Sequence, residues 1–68
     1  MEATLKNAGE LFNCDEGKEI TLLFTNGESY TGKFMGFDDD DTIMLKSSTS
    51  NNMIGLPFNK LKNYTENN

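Results

Sequence analysis

The sequence has no arginine and no histidine, and only one cysteine and one proline, in 68 residues. Each shortage closes off a class of chemistry. Without arginine there is no planar fork to grip phosphates or stack on bases. All basic residues are lysines: Lys6, Lys18, Lys33, Lys46, Lys60 and Lys62. Without histidine, Cys14 and the serines have no imidazole base for nucleophilic catalysis, and a structural zinc site lacks its ligand set. A lone thiol excludes an internal disulfide and suits a reducing compartment, so a cytoplasmic location is expected. No apolar run approaches the ~20 residues of a membrane helix. The first ten residues, MEATLKNAGE, lack the basic and apolar regions of a signal peptide. The expectation is an intracellular, soluble protein with no membrane partner, no cofactor and no enzymatic activity.

What is present is acidic. Eleven acidic residues against six basic ones give a net charge of -5. A bulk basic surface for nucleic acid is therefore disfavoured. Only a local site remains open to that chemistry, such as a pore where lysines of several subunits converge. The length defines one domain, residues 1–68, near the size at which a single core only just suffices. With disulfide and zinc set aside, association with further copies is the remaining support.

Hydrophobic spacing divides the chain in two. Leu5, Ala8, Leu11 and Phe12 recur at helical intervals, predicting an N-terminal α-helix over about residues 3–13 that covers an open end of a sheet or binds a partner. Gly9 weakens it. The polar segment NCDEGK, residues 13–18, ends the pattern. From Glu19 the period changes to two, with Ile20, Leu22 and Phe24 on one face of a first strand. Asn26-Gly27 predicts a type I′ hairpin turn with both residues at positive φ. A second strand from Ser29 to about Phe37 places Tyr30, Gly32 and Phe34 inward. Phe37 breaks that parity, and Gly36 predicts a bulge that lets Phe34 and Phe37 share one side.

A third strand, Thr42 to Lys46, turns Ile43 and Leu45 inward. The polar loop SSTSNN, residues 47–52, leads to a short fourth strand, Met53 to Leu56. Pro57 marks an edge or break. A fifth strand over Phe58 to Tyr64 packs Phe58, Leu61 and Tyr64, and the tail ENN is expected to fray. Met35 and Met44 point outward, as a contact patch or as packing beneath the helix. The fold class read from this pattern is mainly β: a small five-stranded, bent antiparallel SH3-like barrel over about residues 19–64 with an N-terminal helix. Its core comprises Ile20, Leu22, Phe24, Phe34, Phe37, Ile43 and Leu45.

The most conspicuous stretch is GFDDDD, Gly36 to Asp41. Asp38, Asp39, Asp40 and Asp41 offer carboxylates to a hard cation such as Ca²⁺ or Mg²⁺. Consecutive side chains diverge, however, and the alternating spacing of a calcium loop is missing, so a solvated turn is the simpler reading.

The segment ITLLFTNGESYTGKFMGFDDDDTIML resembles the first motif of the Sm-like proteins, whose bacterial branch is Hfq. Ile20, Leu22, Phe24, Gly27, Gly32, Phe34, Phe37 and Asp38 carry the likeness. MIGLPFNKLKNY is a looser match to the second motif through Ile54, Gly55, Leu56 and Leu61. The resemblance spans about Leu5 to Tyr64. It implies a ring of subunits, closed by pairing of the fourth strand with a neighbour's fifth, and a pore-facing loop that contacts single-stranded RNA. It assigns Asp38 to a structural role in organising that loop through local hydrogen bonds. Asp40 stands where the family places a base-stacking aromatic or histidine, and Asp41 where methionine is common. Thr42 replaces an asparagine that reads the base edge. Ile54-Gly55 stands where Arg-Gly is usual, and the Tyr-Lys-His run of Hfq is absent.

Two functions from different classes follow. One is an Sm-like homo-oligomeric ring with degenerate base-binding positions, Asp38, Asp40, Thr42, Ile54 and Gly55, acting as an RNA-binding or RNA-chaperone module. Thr42, Asn51, Asn52 and Lys60 substitute there for the usual contacts. The other is a module on the same barrel that binds protein partners and no RNA.

Overall fold

In a computed structural model of the chain, residues 4–47 and 49–67 are described. Six strands form one antiparallel sheet: β1 (Thr4–Asn7), β2 (Glu19–Phe24), β3 (Ser29–Asp38), β4 (Thr42–Lys46), β5 (Met53–Pro57) and β6 (Leu61–Glu66). Their order across the sheet is β1-β6-β2-β3-β4-β5, and the sheet is not closed. Short 3₁₀ helices, Ala8–Asn13 and Phe58–Lys60, lead into the β2 connector and into β6.

The expected N-terminal α-helix is not formed among the described residues. Thr4–Asn7 is a strand paired with Asn63–Glu66, and only Ala8–Asn13 is helical, as 3₁₀; Ala3, the expected first residue of the helix, lies outside the described residues. An isolated helix of this length is marginal in water, and Gly9 sits in its middle. A strand there instead satisfies the outer backbone groups of β6, which would otherwise stay unpaired. The supposed apolar stripe is split accordingly. Leu11 is fully buried, whereas Leu5 and Phe12 are 66% and 58% exposed. The short helix is capped from within, because Glu10 accepts a hydrogen bond from the Asn7 N–H at 3.1 Å.

Period-two patterning governs β2 as expected, with Ile20, Leu22 and Phe24 buried. The turn that follows differs in type. Gly27 alone has positive φ, Gly27 N–H donates to the Phe24 carbonyl, and Phe24 N–H donates to the Glu28 carbonyl. That is a three-residue loop with a glycine bulge rather than a type I′ turn. The Asn26 side chain accepts from Glu28 N–H at 2.9 Å and fixes it.

β3 is the long, bent strand. Its pairing with β4 shifts by one residue between Phe34 and Phe37, where Gly36 has φ +90°. Phe34 and Phe37 consequently share a side, edge to face with centroids 5.8 Å apart. Phe34 is buried, but Phe37 is only half-buried and belongs to the margin of the core. Gly32 serves the same bend differently. A Cβ there would lie 2.5 Å from the Lys46 carbonyl oxygen, so β3 and β4 approach too closely for any side chain.

The core comprises Leu11, Ile20, Leu22, Phe24, Phe34, Ile43, Leu45, Leu61 and Tyr64. Burying each aliphatic member contributes about 1.5–3 kcal/mol. Phe58 is half-buried and starts the 3₁₀ turn, so the fifth expected strand begins only at Leu61. The tail is held where fraying was expected. Glu66 ends β6 and pairs with Lys6 and Lys18, each at 3.9 Å. Asn67 N–H donates to the Glu19 carbonyl, and its side-chain amide donates to Thr21 Oγ1 at 2.7 Å. Asn68 lies outside the described residues, as does Ser48 of the SSTSNN loop. Met35 and Met44 are half-buried, and the 3₁₀ helix adjoins β1 and β6 instead of covering them. Among the described residues no helix is long and apolar enough to cross a membrane.

Candidate functional site

The acidic turn is built by the end of β3 and the start of β4. Asp38 closes β3 opposite Thr42, leaving Asp39, Asp40 and Asp41 as the turn. Asp39 has φ +62°, a left-handed conformation that aspartate tolerates better than most residues. The turn is anchored by backbone, since Phe58 N–H donates to the Asp41 carbonyl at 2.8 Å. All four aspartates are exposed. Among the described residues, no side-chain hydrogen bond or ion pair engages their carboxylates. The loop-organising bonds expected of Asp38 are therefore not formed. Nor do the four carboxylates converge on a point: no three acidic or thiol groups among the described residues are placed to hold a metal ion.

Beside this turn lies a feature that sequence reasoning missed. Phe12 stacks on Phe37 with centroids 4.8 Å apart and planes 13° from parallel, and Phe58 tilts against it at 4.7 Å. Three phenylalanines from distant segments thus form a partly exposed aromatic surface next to the aspartates. No spacing in the sequence links residues 12, 37 and 58, so no local signal existed. Glu16 reaches the same region, its carboxylate lying over Gly36. The only ion pairs among the described residues join Lys6 and Lys18 to Glu66, so this acidic end is not neutralised.

The other expected site residues separate. Thr42 is half-buried, and its methyl lies where a Cβ on Gly55 would meet it at 2.9 Å. Those two belong together. Ile54 faces the opposite way, across from Leu45, and is 43% exposed. It lines a cleft of about 330 Å³ with Tyr30, Thr31, Asn52 and neighbours. Asp38, Asp40 and Thr42 therefore share one turn, while Ile54 belongs to another surface. Lys60 lines a separate cleft of about 540 Å³ between the β2–β3 turn and β5, with Phe24, Glu28, Tyr30 and Leu56. Tyr30 donates to Glu28 there at 2.9 Å, and that hydrogen bond raises its pKa. Asn51 lines a third cleft, with Lys33 and Lys46.

Cys14 is half-buried against the core, and burial followed by the charge of Glu66 pushes its thiol pKa up. A raised thiol pKa means less thiolate at neutral pH.

The two edges of the sheet present different backbone groups. Backbone groups alternate sides along a strand. The Asn67–Glu19 bond turns Asn63 and Thr65 toward β2, and so turns Tyr64 and Glu66 toward β1. The outer side of β6 is thus occupied by the chain's own first strand. On β1, Leu5 and Asn7 face outward, and Glu10 already caps the Asn7 N–H. On β5, the Phe58–Asp41 bond fixes Met53, Gly55 and Pro57 as outward-facing, and Pro57 has no N–H. β5 carries no charged residue.

No protein-family model, curated protein or solved structure matches this chain.

Proposed function

We propose that this chain is an Sm-like, non-catalytic binding module of the cytoplasm that assembles with copies of itself and binds single-stranded RNA weakly. One observation supports the reading: five antiparallel strands, β2 to β6, with the second of them sharply bent at Gly36, make the pattern expected of a small SH3-like barrel. Assembly follows from the edges. The uncharged β5 of one copy adds to the β1 edge of the next, because β1 occupies the side of β6 that the family would use. RNA binding is weak because the turn that would meet bases carries four carboxylates and no stacking group. Two measurements test this: light scattering for assembly, and titration of a uridine-rich single strand at fixed low salt. A monomer at micromolar concentration removes the ring, and tight binding removes the account of the turn.

A second reading is favoured by the Phe12, Phe37 and Phe58 surface beside the unneutralised aspartates. On it, the module binds a lysine- or arginine-rich protein segment through aromatic and carboxylate contacts. Asp39, Asp40 and Asp41 changed together to asparagine separate the two readings. RNA affinity rises on the first, and affinity for a basic peptide falls on the second.

A further inference from the structure

Lys33 and Lys46 are direct cross-strand partners on β3 and β4. Strand alternation puts both on the outer face, since their neighbours Phe34 and Leu45 fill the core. Like charges directly opposite one another in a sheet are destabilising. Neither lysine has a carboxylate oxygen within 4.0 Å among the described residues. Glu19, the cross-strand neighbour of Lys33 on β2, is in the same row but forms no ion pair with it. Two lysines opposite one another across the strand pair, neither held in an ion pair among the described residues, mark a place where an anion can bind.

The segment after β4 completes the place. Ser47 N–H donates to the Asn52 carbonyl, closing the loop. Thr49 N–H donates to Ser47 Oγ at 3.2 Å, and the two hydroxyls lie 3.1 Å apart. Ser47, Thr49, Ser50 and Asn51 thereby line one cleft with Lys33 and Lys46, about 450 Å³ in volume and free of acidic residues. Ammonium groups supply point charge to phosphate, and hydroxyl and amide groups supply donors.

We propose that this cleft is a phosphate-binding site, and that it seats the backbone of the single-stranded RNA inferred above. The second half rests on the RNA reading; the phosphate chemistry does not. The position of the cleft explains how an acidic chain tolerates such a ligand. Lys33 and Asp38 lie at opposite ends of the same hairpin, at most about 17 Å apart at ~3.3 Å per residue, the bend at Gly36 shortening the span. The Debye length is about 8 Å in physiological salt, so the aspartates are screened from a phosphate held at the cleft. RNA seated here by its backbone reaches the turn only with nucleotides further along the strand, and there the four carboxylates weaken binding at low salt.

The test is amide NMR of the full chain, titrated first with inorganic phosphate and then with an oligouridylate. Phosphate is expected to shift Lys33, Lys46, Ser47, Thr49 and Ser50 and to leave Asp39–Asp41 unmoved. Lys33→Gln with Lys46→Gln should abolish those shifts while leaving the spectrum folded. Lys46→Glu, with one charge reversed, should do the same. The oligouridylate should move the same amides, lose at least tenfold in affinity in the double variant, and show a slope of about −1.4 in log affinity against log salt for two neutralised phosphates. Phosphate shifts scattered over the surface, or unchanged in both variants, overturn the site. Phosphate shifts at the cleft with no oligouridylate binding keep the site and overturn the RNA reading. Oligouridylate shifts confined to the turn keep RNA binding and overturn its placement here.

Discussion

Replacing Gly32 with alanine tests the close crossing of β3 and β4 that shapes the sheet. The added Cβ would lie 2.5 Å from the Lys46 carbonyl oxygen, 3.0 Å from Leu45 Cγ and 3.3 Å from the Lys46 carbonyl carbon. Two of those three atoms are backbone and cannot rotate away. Reaching even the 3.0 Å floor of real Cβ contacts requires the strands to part by 0.5 Å at the tightest point. Overpacking of this kind costs about 1–3 kcal/mol, and a strained ladder hydrogen bond adds about 1 kcal/mol. The reduced freedom of the unfolded chain returns about 0.4–1 kcal/mol. The net is about 1–3.5 kcal/mol, against a total of about 3–10 kcal/mol for a domain of this length. Thermal unfolding followed by circular dichroism should show a midpoint lowered by about 5–25 °C. Gly9→Ala is the control, because nothing lies within 4 Å of its Cβ and its φ is not positive. It should leave the midpoint level or raise it. An unchanged midpoint for Gly32→Ala, or an equal fall for Gly9→Ala, refutes the crossing.

Phe34→Ala removes a buried ring that meets Phe37 edge to face, and should cost about 3–5 kcal/mol in a urea titration, a large share of the domain's stability. Burial, with smaller contributions from Cys14, Glu66 and Glu10, pushes the Tyr64 pKa up to about 12. Its folded pKa lies above the unfolded value near 10, so its contribution is complete below pH ~10 and is lost as pH rises toward 12. The urea midpoint should fall across that window, and Tyr64→Phe should flatten the fall. Asp39→Asn with Asp40→Asn and Asp41→Asn removes three charges per subunit, so oligouridylate affinity at low salt should rise and the gain should shrink at high salt. A gain that survives high salt contradicts electrostatic repulsion as its cause.

The middle of the chain is legible because its signals are local. Ile20, Leu22 and Phe24 alternate within one strand, and Gly36 sits at the one place where Phe34 and Phe37 must share a side. The N-terminus cannot be read that way. Leu5, Ala8 and Leu11 fit a helical interval, yet what decides their conformation is the open side of β6, made by residues some sixty positions later. At Asn26-Gly27 the residues announce a turn but not its type, since the choice depends on Phe24 and Glu28 closing the pair. The tail reads as free in the sequence because Asn67 and Glu66 find their partners far away, on β2, on β1 and at Lys18. For the candidate site, the aspartates are legible as a turn, but their neighbours Phe12 and Phe58 are not. The Lys33–Lys46 pairing requires the register of β3 on β4, which the bulge displaces by one residue.

Pairing of β1 with β6 also sets an order in time. Thr4 lies opposite Glu66, so β1 must wait for β6 to be synthesised. Contacts so far apart in sequence close slowly, because the chain between them must be ordered first. While the protein is still on the ribosome, Leu5 and its strand have no partner, and β2, β3 and β4 can pair without them. The N-terminal strand is then the final piece to seat and the first to leave. Amide exchange at Lys6, which faces β6, should therefore be faster than at Leu22 and Leu45, and a chain cut short before Leu61 should keep its N-terminus open to any other edge in solution.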